Sequence, residues 1–317
     1  MNILLTGATG FLGSALLCKI KQDSELNVSC PVRKLELLGV APFVDVGEIN
    51  ESTDFSSVLA GIDVVVHVAA RVHVMRDESD DPLSEYRKVN VFGTANLARQ
   101  AVVAGVRRFV FISSVKVSGE FTRDGERFVE TMVPNPEDPY ARSKFEAEEA
   151  LKEISVDSGM EFVIIRPPLV YGRGVKANFT SLMKLCTIPV PLPFSLVHNK
   201  RSMIYLENLV DFIVCCIYHP KAANEIFLIS DDQDLSLSEL IRTIRREMGR
   251  KSLLFPVPVK IFECLGGLIR KQAVIERLTG NLQINSSKAR TLLGWSPPYS
   301  VTKALEVTVS DFLKEDI

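Results

Sequence analysis

The chain holds 317 residues, 46% hydrophobic and 24% charged, with a formal net charge of −2. This length suggests roughly two domains, or one large α/β domain with an appended lobe. The weakly acidic balance excludes a broad basic field, so nucleic acid is not expected as a main partner. No apolar stretch reaches the roughly 18 to 20 residues of a spanning helix. The first apolar run is short, lacks a basic lead-in and is broken by glycines, unlike a signal peptide. The six cysteines lie mostly in apolar contexts without a CxxC pair. That usage points to buried free thiols, no metal site and a cytoplasmic location.

In chain order, Met1 to Thr6 is an apolar run fit for a buried strand. Gly7-Ala8-Thr9-Gly10-Phe11-Leu12-Gly13 follows, and Ser14 to Ile20 then carries a helical apolar pattern. Strand, glycine turn and helix in that order predict a phosphate cradle. The glycines let backbone approach a pyrophosphate, and the helix N-terminus offers N–H groups and a positive dipole end. Asn27 to Val32 reads as a second strand, followed at once by Arg33 and Lys34. A dinucleotide fold places the adenosine ribose at this position. A carboxylate there suits the 2′-hydroxyl of NAD, whereas a basic residue suits the 2′-phosphate of NADP. Arg33 therefore favours NADP(H), with NAD(H) as the alternative.

Phe43 to Ile49 predicts a third strand, and Asp54 to Ala60 a short helix capped by Thr53 or Asp54. Asp63 to Val68 is a β-branched run expected to be a buried parallel strand, ending in Ala69-Ala70. His67 within it is expected to be a packed core histidine. Asp81 to Ala104 holds a long helical pattern with Pro82 in its first turn, and Arg107 to Ser113 is the next strand. A long loop from Gly119 to Pro139 has the length of a functional one. A helix from Pro139 to about Ser158 leads into the strand Glu161 to Arg166. The proline-rich stretch to Lys200 predicts irregular structure around one helix near 177–186. Met203–Leu206 and Glu225–Ile229 read as strands flanking a helix from Leu206 to Tyr218. Ser236 and Glu239 form a capping box for a helix reaching Met248. Residues 251–317 are predicted to be mainly helical. Within them, the apolar stretch Lys260 to Lys271 is expected to be a core helix rather than a membrane-surface helix. Strands alternating with helices predict an α/β fold with a doubly wound parallel sheet.

Tyr140 and Lys144 stand four residues apart at a helix start, which stacks both side chains on one face. An ammonium beside a phenol stabilises phenolate, so Tyr140 is expected to have a lowered pKa and to exchange a proton near neutrality. Ser113 and Ser114 end the preceding strand, at the carboxyl edge where open α/β sheets bind ligands. A hydroxyl there suits hydrogen bonding to a substrate oxygen.

Taken together, TGATGFLG (6–13), HVAA (67–70), VNVFGT (89–94), SSVKVSGE (113–120), PYARSK (139–144), RPPLVYG (166–172) and LLGWSPP (292–298) resemble the extended short-chain dehydrogenases/reductases. Within that family the resemblance is to the nucleotide-sugar epimerase/dehydratase group, over nearly the whole chain. It implies a Rossmann domain of residues 1–166 plus about 203–230. It also implies a smaller, mainly helical nucleotide-sugar lobe of about 167–202 plus 231–317. By motif, Tyr140 would be the acid/base, Lys144 its partner on the nicotinamide ribose, and Ser114 the catalytic hydroxyl. The cofactor would lie on Gly7, Thr9, Gly10, Phe11, Leu12, Gly13, Arg33, Glu48, Ile49, Val68, Ala69, Ala70, Asn90 and Pro167, besides Tyr140 and Lys144. Ser114, Lys116, Asn178 and Arg201 would contact the substrate.

Departures from the family pattern narrow the activity. Val115 and Lys116 replace the Asp-Glu pair that dehydratases carry after the catalytic residue, so dehydration is not expected. Val32-Arg33 differ from the acidic residue of UDP-galactose epimerases, and Leu169 replaces an Asn common in them. AARVHVMRD (69–77), SSVKVSGE and RPPLVYG look nearest to bacterial surface-polysaccharide enzymes. The resemblance thus implies a 4-ketoreductase of a UDP-4-keto-6-deoxy-N-acetylhexosamine. The alternatives are a UDP-glucose or UDP-N-acetylglucosamine 4-epimerase and a non-catalytic NADP-sensing scaffold. A homodimer paired through the helices near 82–104 and from Pro139 is also implied.

Overall fold

The computed structural model describes residues 1–35, 42–72, 81–268 and 272–315. The end of the AARVHVMRD motif and residues 269–271 of the apolar Lys260–Lys271 stretch lie outside the described residues. Seven parallel strands form the central sheet in the order β3-β2-β1-β4-β5-β6-β9. They are β1 (Asn2–Thr6), β2 (Asn27–Val32), β3 (Phe43–Asp45), β4 (Val64–His67), β5 (Arg108–Ile112), β6 (Glu161–Arg166) and β9 (Glu225–Leu228). Two short strands, β7 (Leu169–Tyr171) and β8 (Met203–Tyr205), pair separately.

The continuous apolar runs are explained by burial on both faces of the sheet. Ile3, Leu5, Val64, Val66 and Val110 pack into one core, beneath α1 (Phe11–Ile20) and, later in the chain, the helix Leu206–Tyr218. Leu4, Val65, Phe109 and Phe111 point the other way. There they meet α2 (Ser56–Leu59), and the helices that follow α3 (Pro82–Arg87), namely α4 (Thr94–Val103) and α5 (Pro139–Ser158). Period-two alternation thus splits each strand between two layers of helix.

A second core gathers α6 (Asn178–Thr187), α8 (Leu237–Glu247) and α12 (Val301–Glu315), with α7 being Leu206–Tyr218 on the sheet. The remaining helices are α9 (Val259–Leu268), α10 (Gln272–Thr279) and α11 (Ser287–Leu293). Although α11 is late in the chain, Ala289, Leu293 and Trp295 pack with the sheet core. Trp295 meets Phe212 edge-on at 4.9 Å and donates to Asp211 at 2.8 Å.

Several expectations are corrected. The third strand stops at Asp45, because Gly47 takes φ +73 and turns the chain. The short helix begins at Ser56, whose N–H donates to Asp54 Oδ1 at 2.8 Å, while Thr53 Oγ1 turns instead to Glu48 O and the Asn50 N–H. The long helix from Pro82 is interrupted by a π-helical turn at Lys88–Gly93. A β-carbon on Gly93 would come within 2.7 Å of Ile49 Cγ2, so the widened turn follows close packing against the 49–50 segment. Among the described side chains of α9, Val259 and Phe262 pack on the second core, while Lys260, Ile261 and Cys264 are exposed. The capping box at Ser236 and Glu239 is present. Among the described residues, no helix is long and apolar enough to cross a membrane.

Phe212 is fully buried between Phe227 and Trp295, where sheet, α7 and α11 meet. Phe212→Ala is expected to destabilise the fold by about 3–5 kcal/mol. A shift of the urea midpoint, followed by tryptophan fluorescence, measures it.

Candidate active site

The turn from β1 into α1 has no room for side chains. Gly7 adopts φ +71, and a β-carbon there would sit 2.7 Å from Ala69 N; one on Gly13 would sit 2.0 Å from Gly7 O. These glycines bring strand, helix and the end of β4 to backbone contact. Gly10 caps α1 without a side-chain hydrogen bond, and no acidic residue stands in the first turn. The N–H groups and positive dipole end therefore remain for an anion.

This turn opens on a groove of about 1060 Å³. Gly7, Thr9, Gly10, Phe11, Leu12, Gly13, Arg33, Glu48, Ile49, Val68, Ala69, Ala70, Ser114, Tyr140, Lys144 and Pro167 all line it. Tight glycine packing, uncapped N–H groups and a roomy lining of mixed polarity fit a dinucleotide. Arg33 is exposed just beyond the buried end of β2.

α5 presents Tyr140 and Lys144 to the groove because its first turn is locally determined. Asp138 caps it by accepting from Ala141 N–H at 2.6 Å, and Pro139 supplies a preset first-turn φ. Lys144 is 1% exposed, and its Nζ lies 4.1 Å from the Phe111 ring centroid. Burial lowers its pKa to about 7, with Glu148 one turn further on working in the opposite direction. The expected lowering of the Tyr140 pKa is not found. Burial raises it, reinforced by Asp138 and the edge-on Tyr86 ring at 6.0 Å. A lysine that burial itself drives towards neutrality exerts little pull on the phenol.

The two serines divide their work. Ser113 donates to Glu148, which also receives a two-pronged hydrogen bond from Arg166 at 2.9 and 2.5 Å. Ser114, whose Oγ among the described residues accepts a long 3.3 Å bond from Lys116 N–H, remains on the groove. His67 is buried between Thr6 Oγ1 (2.7 Å) and Thr94 Oγ1 (3.0 Å), and burial drives its pKa to about 3. It is a neutral core residue, as its place within a strand implied.

Four expected residues do not line the groove. Asn90 lies in the π-turn, bonded to the Arg71 backbone and to Ser143 Oγ, and so positions neighbours of the site. Lys116 is bound by Glu120 and Asp138 at 2.6 and 2.5 Å. Asn178 is exposed at the start of α6. Arg201 is largely buried, donates to Gly280 O at 3.1 Å, and has its pKa lowered to about 10 by burial. Sequence reading missed Glu148, Arg166, Glu120 and Arg277. Arg277 approaches Glu120 to 3.9 Å from α10, and no local motif marks it.

Residues 3–230 match the NAD dependent epimerase/dehydratase family. The chain belongs to this family. It is an enzyme of the extended short-chain dehydrogenase/reductase class, with nucleotide-sugar chemistry of the epimerase/dehydratase type and an NAD-type cofactor. A Vibrio cholerae protein named UDP-glucose 4-epimerase is 46% identical over 99% of this chain and 96% of its own. The fold is shared with the UDP-glucuronic acid 4-epimerase of Bacillus cereus in complex with NAD (TM-score 0.79, 22% identity, 99% of both chains). It is also shared with RMD from Pseudomonas aeruginosa complexed with NADPH (TM-score 0.74, 18% identity, 98% of this chain and 99% of that one).

Two outcomes follow from this epimerase/dehydratase-family site. Tyr140→Phe removes only the phenol and is expected to lower kcat by about 10²–10⁴ while cofactor affinity, read by titration, stays within a few-fold. Lys144 binds its proton with a pKa of about 7 in the fold against 10.5 ordinarily. Between those values the unfolded chain holds more protons, so stability rises with pH across that window. Relative to Lys144→Met, the wild-type thermal midpoint of the cofactor-free protein should climb from pH 7 to 10.

Proposed function

We propose that the enzyme is a cytoplasmic NADPH-dependent reductase of a UDP-4-keto-6-deoxy-N-acetylhexosamine, acting in surface-polysaccharide synthesis. The observation that carries this reading is Arg33. It stands exposed at the mouth of the cofactor groove, directly after β2, where Val32, Arg33 and Lys34 offer no carboxylate to a ribose diol. A guanidinium there suits a 2′-phosphate by paired, charge-assisted hydrogen bonds. A cofactor consumed at each turnover must exchange, which suits a rim-exposed contact.

When bound, the reduced nicotinamide supplies the hydride that converts the C4 carbonyl to an alcohol. Tyr140 gives its phenolic proton to O4 as negative charge develops there, and Ser114 donates a hydrogen bond to the same oxygen. Lys144, one helical turn along α5 from Tyr140, is placed to hold the nicotinamide ribose. Arg201 and Arg277 supply positive charge for the UDP diphosphate. Glu48 and Ile49 border the adenine, and Asn90 fixes the wall beside Ser143. The same reading includes a homodimer built through α3–α4 and α5; light scattering at twice the chain mass checks it.

A second reading, 4-epimerisation of a UDP-hexose, is favoured by the name of the 46% identical Vibrio cholerae relative. The two are separated by incubating the enzyme with the UDP-4-keto sugar and NADPH or NADH at 340 nm, and with UDP-glucose or UDP-N-acetylglucosamine without added cofactor. Stoichiometric NADPH loss only with the keto sugar is expected. Interconversion of C4 epimers without net cofactor use would install the epimerase. Arg33→Ala is expected to raise KM for NADPH about tenfold or more while leaving KM for NADH nearly unchanged.

A further inference from the structure

The second lobe carries an apolar surface that the site does not use. Ile188, Pro189, Val190 and Pro191 are four consecutive exposed residues between α6 and β8. Leu253 and Phe255, 47% and 44% exposed, run beside this segment. The two segments are tied by a backbone bridge: Leu192 N–H donates to Leu253 O and Phe255 N–H to Leu192 O, both at 3.0 Å. The buried Arg245 guanidinium pins them further, donating to the carbonyls of Ile188, Val190 and Leu253 at 2.9–3.0 Å. α9 joins through Phe262, stacked on Phe194 at 5.5 Å, and leaves Ile261 48% exposed beside it. Large side chains grouped in this way mark an interaction face.

Charge identifies the occupant. No acidic residue occurs between Gly174 and Glu207, or between Glu247 and Glu263. Those same stretches hold exposed Lys184, one turn before Ile188, with Arg250 and Lys251 three and two residues before Leu253 and Lys260 adjoining Ile261 in the chain. In a chain whose net charge is −2, the two stretches that form this apolar face thus carry exposed charge of positive sign alone, with Glu247 and Glu263 at the ends of the second. A second copy docking through the same face would oppose these like charges across a two-fold axis. An anionic bilayer surface answers both features, since apolar side chains enter the interface while lysines and arginines meet phosphate headgroups.

We propose that this face docks the enzyme peripherally on an anionic phospholipid membrane. The arginine that shapes it, Arg245, makes the face a built feature of the lobe rather than a frayed edge. Catalytic residues take no part in it, so docking and turnover are separable.

The test is co-sedimentation of the full chain with vesicles of phosphatidylglycerol and phosphatidylcholine, against pure phosphatidylcholine, at low and at 0.5 M salt. Binding is expected to the anionic vesicles and to weaken strongly in salt. Lys251→Glu with Lys260→Glu should lower the partition coefficient at least about tenfold. Phe255→Ser with Ile261→Ser should lower it without changing its salt dependence. Unchanged cofactor affinity in both double variants shows that the fold survives. Equal or absent binding to the two vesicle types, or loss of self-association rather than of vesicle binding in the serine variant, would overturn the proposal.

Discussion

A primary amine held out of water is the constraint around which the site is built. Lys144 is buried where α5 crosses the sheet, and a charge in that position needs compensation. The Phe111 ring face lies beneath it and Glu148 stands one helical turn away. Glu148 would itself be a buried charge, and Arg166 from the end of β6 pairs with it along both carboxylate oxygens. Ser113 from the end of β5 completes the shell. Three elements are thereby fixed in mutual register, and breaking such a pair on one side leaves the other charge stranded. Because Ser113 is spent inward, its neighbour Ser114 is the hydroxyl left on the groove.

The head of α5 is governed in the same way by a carboxylate. Burial acts to raise the Asp138 pKa, yet the hydrogen bonds from Lys116 and from the Ala141 N–H outweigh it and hold the group below its ordinary value. Lys116 also binds Glu120, which Arg277 approaches from the second lobe. The orientation of Tyr140 consequently rests on ion pairs that reach from the head of α5 to α10.

Elsewhere the fold trades regularity for proximity. The π-turn at Lys88–Gly93 widens the helix where Gly93 meets Ile49, and it places Asn90 against Ser143 and the backbone after β4. At the β1–α1 turn, missing β-carbons bring three backbone segments together. Both arrangements bring rigid elements close to the groove without adding side-chain bulk.

Much of this was legible in the residues alone. Glycine spacing, apolar strand runs, Pro139 and the Tyr140–Lys144 spacing are local signals, and α5, β6 and α7 begin and end at the expected residues. The cradle, Tyr140, Lys144 and Arg33 fall on one groove because α/β connectivity brings strand ends to one edge. What sequence could not assign were partnerships between distant segments. Glu148 with Arg166, Arg277 near Glu120, and Trp295 in the sheet core join residues with no periodic relation. The Tyr140 pKa was misjudged because spacing reveals a neighbouring lysine but not the burial that opposes it. The apolarity of α9 was visible, but whether it faced core or solvent was not. Local pattern determines which elements form, whereas the packing of those elements decides which side chains lose water, and burial sets their charge.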